Sequence, residues 1–131
     1  MKVYAFDVDE TLEISNGPVK LESLSALRRE GHIVGLCGNL NAFCTRVPNW
    51  QDFISFTMMF DTYPVIGGPM GSMVPKDVWL KVFRQTTFPT ADEYIMVGNV
   101  QGISGASDDK GAAERADWRF IKESDFAVGM R

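Results

Sequence analysis

Two aspartates one residue apart close an apolar run in "KVYAFDVDETL", where Asp7 and Asp9 follow Lys2–Phe6. Side chains alternate across a strand, so Asp-x-Asp at its end aims both carboxylates the same way despite their repulsion. A nearby cation relieves that repulsion. Lys76 heads "KDVWLKVFRQ", and Asn99, Asp108 and Asp109 follow a second apolar run, "EYIMVGN". Acids gathered with a lysine suit a hard divalent ion and a phosphate. Mg²⁺ takes oxygen donors, commonly one or two carboxylates plus substrate phosphate. With the phosphate charge offset, one carboxylate can attack phosphorus. A second can protonate the leaving oxygen and later activate water.

These residues meet only if the apolar runs become strands of one sheet. The runs at 2–6, 32–37 ("HIVGLC"), 63–68 ("YPVIGG"), 93–99 and 118–121 ("WRFI") read as strands. Helices are predicted over 20–31, where Leu21, Leu24 and Leu27 share a face, from Leu40 to before Pro48, over 76–85 and over 108–116. The apolar stretch 49–60, "NWQDFISFTMMF", is assigned to helix, and 13–19, 69–75 and 100–107 to turns and loops. Strands alternating with helices give an α/β fold with a mostly parallel five-stranded sheet. Such sheets bind ligands beyond the carboxyl ends of their strands. Asp7 and Asp9 lie at the first such end, Cys37, Gly38 and Asn39 at the second, and Asn99, Asp108 and Asp109 at the fourth. The loop after the third leads to Lys76.

The 131 residues fit one domain, 1–131. A net charge of −4 with no basic cluster argues against strong nonspecific nucleic-acid binding. No apolar run reaches the ~18 residues of a membrane span. The chain turns acidic within "MKVYAFDVDE", unlike a secretory leader, and its two cysteines, Cys37 and Cys44, make no disulfide framework. A cytoplasmic protein with reduced thiols is expected.

"DVDETL" resembles the first motif of the haloacid dehalogenase superfamily of phosphotransferases, Asp-x-Asp-x-Thr. "GLCGN", "VPKDVWLKVF" and "IMVGN…DDKGAAERADWRFI" resemble the second, third and fourth motifs in order, so the resemblance extends over most of the chain. It implies a three-layer Rossmann-like fold with strands in the order 5-4-1-2-3. It implies a Mg²⁺-dependent phosphatase acting through an aspartyl-phosphate. Asp7 would be nucleophile and metal ligand. Asp9 would be acid/base, with its carbonyl on the metal. Thr11 would brace the loop, Cys37, Gly38 and Asn39 would hold phosphoryl oxygens, and Lys76 would neutralise Asp7 and the phosphoryl group. Asn99 with Asp108 or Asp109 would complete the metal site, Asp109 aligning better with the following Ala112-Ala113.

Two positions depart from the motifs. Cys37 replaces a hydroxyl, and a thiol is a weak donor. Asn99 replaces an aspartate and brings no charge. Each polar residue also has a plain structural use: Asp108 or Asp109 as a helix cap, Asn99 as a turn residue, Cys37 as a small buried group. The single histidine, His32, is read as structural. Seven residues, 13–19, separate the first motif from the first helix, too few for a substrate-covering cap. The site is therefore expected to be open, suited to a bulky or macromolecular phosphorylated substrate or to completion by a homo-oligomer. A catalytically degenerate binding or regulatory module is the second reading. A phosphoacceptor receiver fits less well, since "YPVIGG" ends in no aspartate.

Overall fold

Among the described residues, Lys2–Phe6 forms β1, the middle strand of a five-stranded sheet in which every pairing is parallel. The computed structural model describes residues 1–58, 76–100 and 109–131. β2 (Ile33–Leu36) and β4 (Glu93–Gly98) flank β1, with β3 (Phe56–Thr57) outside β2 and β5 (Arg119–Lys122) outside β4. The order β3-β2-β1-β4-β5 is the expected 5-4-1-2-3, with Phe56–Thr57 in the third place instead of 63–68. The chain leaves β1 for β2 and β3, then returns to the other side for β4 and β5. That reversal puts a crevice at the carboxyl ends of β1 and β4.

Helices cover both faces. Strands buried on both faces read as near-continuous apolar runs, as "VYAF" and "YIMV" do. Tyr4, Phe6, Val34, Leu36, Ile95 and Val97 face one side. There they meet Leu24 and Leu27 of α1 (Leu21–Arg29), Phe43 of α2 (Leu40–Arg46) and Phe126 of α5 (Glu123–Ala127). Val3, Ala5, Tyr94 and Met96 face the other. Leu80 of α3 (Lys76–Val82) and Ala112 and Ala113 of α4 (Asp109–Arg115) pack there. The result is a three-layer α/β fold. His32 lies at the mouth of β2 and accepts the Lys2 N–H at its Nδ1. Among the described residues, no helix is long and apolar enough to cross a membrane.

The structure differs from the sequence expectation in three places. The segment 49–60 is not a helix over its described part: a 3₁₀ turn at Trp50–Asp52 leads into β3. Phe56 pairs with Gly35 in β2, and its ring lies 4.6 Å from that of Phe83 and 5.2 Å from that of Phe88. A two-residue strand has no periodicity to read; its place comes from what Phe56 packs against. The expected strand at 63–68 lies outside the described residues. α3 continues as a π turn over Phe83–Thr87. α5 was not expected at all. Five residues are too few for a helical pattern to show, and isolated helices that short do not hold in water. Tertiary packing supplies α5 instead, with Phe126 edge-on to Phe6 at 5.2 Å and to Tyr4 at 6.3 Å.

Phe126 is 1% exposed and the largest apolar anchor of α5. Phe126→Ala is expected to lower stability by about 3–5 kcal/mol, the usual cost of emptying a buried phenylalanine site. Urea unfolding of both proteins measures it. A loss below ~1 kcal/mol would mean that α5 is not part of the cooperative core.

Candidate active site

Asp7 continues the alternation of β1 past Val3 and Ala5, so its side chain lies on the α3/α4 side of the sheet, just beyond the strand. It is 5% exposed. Its backbone N–H donates to the Val97 carbonyl of β4, which holds the chain in sheet geometry one residue past β1. Val8 turns to the opposite core, and the chain then folds over. Thr11 and Leu12 N–H both donate to the Val8 carbonyl, and Glu10 takes a left-handed φ of 59°. This turn separates the two aspartates. Asp9 is exposed while Asp7 is buried, so the pair does not share one environment.

Three side-chain donors meet the Asp7 carboxylate. Lys76 Nζ donates to Oδ1 at 3.0 Å, Asn99 Nδ2 to Oδ2 at 3.1 Å, and the buried Thr11 hydroxyl to Oδ2 at 3.5 Å. Lys76, the first residue of α3, also donates to Asp109 Oδ1 at 2.8 Å. Asp109, the first residue of α4, is fully buried, and its Oδ2 accepts the Asn99 N–H at 3.0 Å. Two carboxylates, one ammonium and one amide thus join β1, α3, β4 and α4. Close approach of backbone makes room for them. A Cβ on Gly38 would lie 2.5 Å from Asp7 Oδ1, and one on Gly98 would lie 2.5 Å from Asp109 Oδ2.

Burial pushes the Asp7 carboxyl up to about 7. The Lys76 ammonium draws it down, and the Asp109 carboxylate pushes it up again. Burial by itself would lower the Lys76 pKa, but Asp7 and Asp109 outweigh it and hold the ammonium above the ordinary lysine range. The charge count agrees: one cation, Lys76, serves two acids, and it does not offset the effect of burial on Asp7.

The remaining predicted residues divide. Asn39 caps α2 by accepting the Ala42 N–H at Oδ1, and its Nδ2 reaches Asp9 Oδ2 at 3.4 Å. Gly38 lies against Asp7. Cys37 is fully buried in the α3/α4-side core, its sulfur against that of Met96, although it also adds to the field at Lys76. Asp108 lies outside the described residues, so of the two neighbouring acids only Asp109 is placed, in the cluster itself. The role that sequence reasoning missed is that of the Asn99 amide. Besides Asp7 Oδ2, its Nδ2 donates to the Asp9 carbonyl oxygen at 2.8 Å. The residue type carried the hint, since an amide nitrogen offers two protons where an aspartate offers none.

For a divalent ion the donor set fits in part. Asp7 Oδ2 and the Asp9 carbonyl converge on one point and are the hard oxygens that Mg²⁺ takes. Among the described residues no group of three or more acidic, cysteine or histidine side chains gathers as a metal site. Asp109 is committed to Lys76 and the Asn99 backbone. No protein-family model, curated protein or solved structure matches the chain.

Asp7 holds its proton up to about pH 7 in the folded chain, against an ordinary value of 3.8. Between those values the folded state binds more protons than the unfolded one. The stabilising contribution of this group is therefore full below the lower value and lost as pH rises through the upper one. Asp7→Asn stays neutral throughout, so it should gain stability relative to wild type as pH rises from about 4 to about 7.5. Urea midpoints of both proteins across that range test this; a constant difference would place the Asp7 titration elsewhere.

Proposed function

We propose that the chain is a phosphoric monoester hydrolase of the haloacid dehalogenase type, with Asp7 as nucleophile. The single observation that carries this reading is the Asp7 carboxylate at the end of the central strand, with the Lys76 ammonium 3.0 Å from one of its oxygens. A half-buried lysine held charged beside a carboxylate can offset both the carboxylate and an incoming phosphoryl group.

In this reading an ionised Asp7 oxygen attacks phosphorus, and the bond to the leaving oxygen breaks. The Asp9 carboxyl, exposed to substrate, gives that oxygen its proton. The Asp9 carboxylate then takes a proton from water, whose oxygen attacks the aspartyl-phosphate. Phosphate leaves and Asp7 is restored. Thr11 and Lys76 hold the Asp7 carboxylate in place through both steps. Mg²⁺, held by Asp7 and the Asp9 carbonyl, would supply further charge neutralisation at the phosphoryl oxygens. The raised Asp7 pKa implies that turnover climbs as pH passes about 7, where the nucleophile ionises. The short segment between Leu12 and α1 leaves no room for a cap there, which favours bulky or macromolecular phosphate esters.

A second reading, a non-catalytic phosphate-binding module, draws on two observations. The Cys37 side chain sits among apolar residues, and Asn99 presents amide protons between Asp7 and Asp9.

A phosphate-ester panel with Mg²⁺ decides between them. Asp7→Asn should abolish hydrolysis with the fold retained, and Asp9→Asn should slow it by ~10²-fold or more. Small esters such as nitrophenyl phosphate should be poor substrates, since little of them is buried to supply binding energy. Near-full Mg²⁺-dependent turnover by pure Asp7→Asn protein would rule out the aspartyl-phosphate route. Binding of phosphate esters without turnover by wild type would favour the second reading.

A further inference from the structure

The Asn99 amide lies at the point on which Asp7 Oδ2 and the Asp9 carbonyl converge, 3.1 Å from one and 2.8 Å from the other. Both atoms accept from the amide. A backbone carbonyl can only accept, so with the amide reversed the Asn99 oxygen would face the Asp9 carbonyl with no proton between, and Nδ2 is the atom the site requires. The backbone N–H of the same residue is fixed on Asp109 Oδ2 at 3.0 Å, which anchors the side chain in this position. Asn99 thus links the two halves of the acidic turn, Asp7 and Asp9, from across the β1/β4 crevice.

We propose that the Asn99 amide is a built-in substitute for a divalent cation, holding together oxygens that would otherwise need an ion between them. This deepens the phosphoryl-transfer reading of the site by assigning Asn99 a role opposed to metal binding in the resting protein. Size supports it. Mg²⁺ sits about 2.0–2.1 Å from its oxygens. The nitrogen-to-oxygen distances here, 3.1 and 2.8 Å, are those of hydrogen bonds, and the amide nitrogen occupies the place between these oxygens. Charge supports it as well. Lys76 already offsets part of the charge on Asp7 and Asp109, and the amide satisfies Asp7 Oδ2 and the Asp9 carbonyl without adding an anion.

The test uses the full chain without substrate: thermal melts in a chelator and in millimolar Mg²⁺, with calorimetric Mg²⁺ titration, for wild type, Asn99→Asp and Asn99→Ala. Asn99→Asp places a third carboxylate against Asp7 and the Asp9 carbonyl. In chelator it should melt several degrees below wild type, the scale of a ~1 kcal/mol loss in a domain of this size. Mg²⁺ should restore it while moving wild type little, and should bind it about tenfold or more tightly than wild type. Asn99→Ala removes the obstructing protons and should bind Mg²⁺ no more weakly than wild type. An Asn99→Asp chain that is unfolded in chelator and folds on adding Mg²⁺ supports the proposal equally.

Four results would overturn it: equal melting of Asn99→Asp and wild type in chelator, no recovery of Asn99→Asp by Mg²⁺, an equal Mg²⁺ shift in both, or weaker Mg²⁺ binding by Asn99→Ala. The last would make Asn99 a ligand. None of these readouts depends on hydrolysis, so failure here leaves the ester panel with Asp7→Asn to judge the phosphatase reading separately.

Discussion

The Lys76 ammonium shared between Asp7 and Asp109 is the interaction on which the carboxyl edge of the sheet depends. Taking one carboxylate out of water costs several kcal/mol unless it is paired and hydrogen-bonded, and here two lie close together. Without the cation they would repel each other with little solvent to screen them. With it, α3 and α4 are tied to the end of β1 through their first residues. The buried positions of Asp7, at 5% exposure, and of Asp109, at none, follow from this pairing.

The sheet order explains why these groups can meet. Lys76 and Asp7 are 69 residues apart in the chain, and Asn99 and Asp7 are 92 apart. Parallel pairing of β1 with β4 in the register Phe6↔Val97 sets Asp7 beside Gly98, so Asn99 leaves the sheet one residue further on, within reach of Asp7. The two cores divide the labour. The α1/α2/α5 side is packed with large aromatics and aliphatics, including Tyr4, Phe6, Phe43 and Phe126. The α3/α4 side mixes large residues, Tyr94, Met96 and Trp118, with small ones, Ala5, Ala112 and Ala113, and there Asp109 of α4 meets Lys76 of α3. The polar cluster lies on this second side, at the carboxyl edge of the sheet.

Strong patterns were readable and weak ones were not. β1, β2 and β4 stood out because a strand covered on both faces is apolar throughout. α1 stood out because Leu21, Leu24 and Leu27 recur at helical spacing. β3 and α5 did not, because each is short and is held by one aromatic ring, Phe56 or Phe126, whose partners come from distant parts of the chain. In the site, Asp7, Lys76 and Asp109 were marked by residue type next to a strand or helix end. Asp9 was marked too, but its separation from Asp7 was hidden, because the left-handed turn at Glu10 has no glycine to announce it. Cys37 was legible as a residue at a strand end but not as one facing Met96.

The sequence by itself determined the fold class and the set of polar residues at the carboxyl edge. Burial periodicity and strand-end placement are local, and local chemistry is written residue by residue. The tertiary structure alone decided which proton lies on which oxygen. Lys76 is shared rather than paired once, Asn39 serves as the cap of α2, and the Asn99 amide spans Asp7 and Asp9. Hydrogen bonds are fixed by distances of about 3 Å between atoms. Such distances between residues far apart in sequence exist only once the strands have taken their order and register.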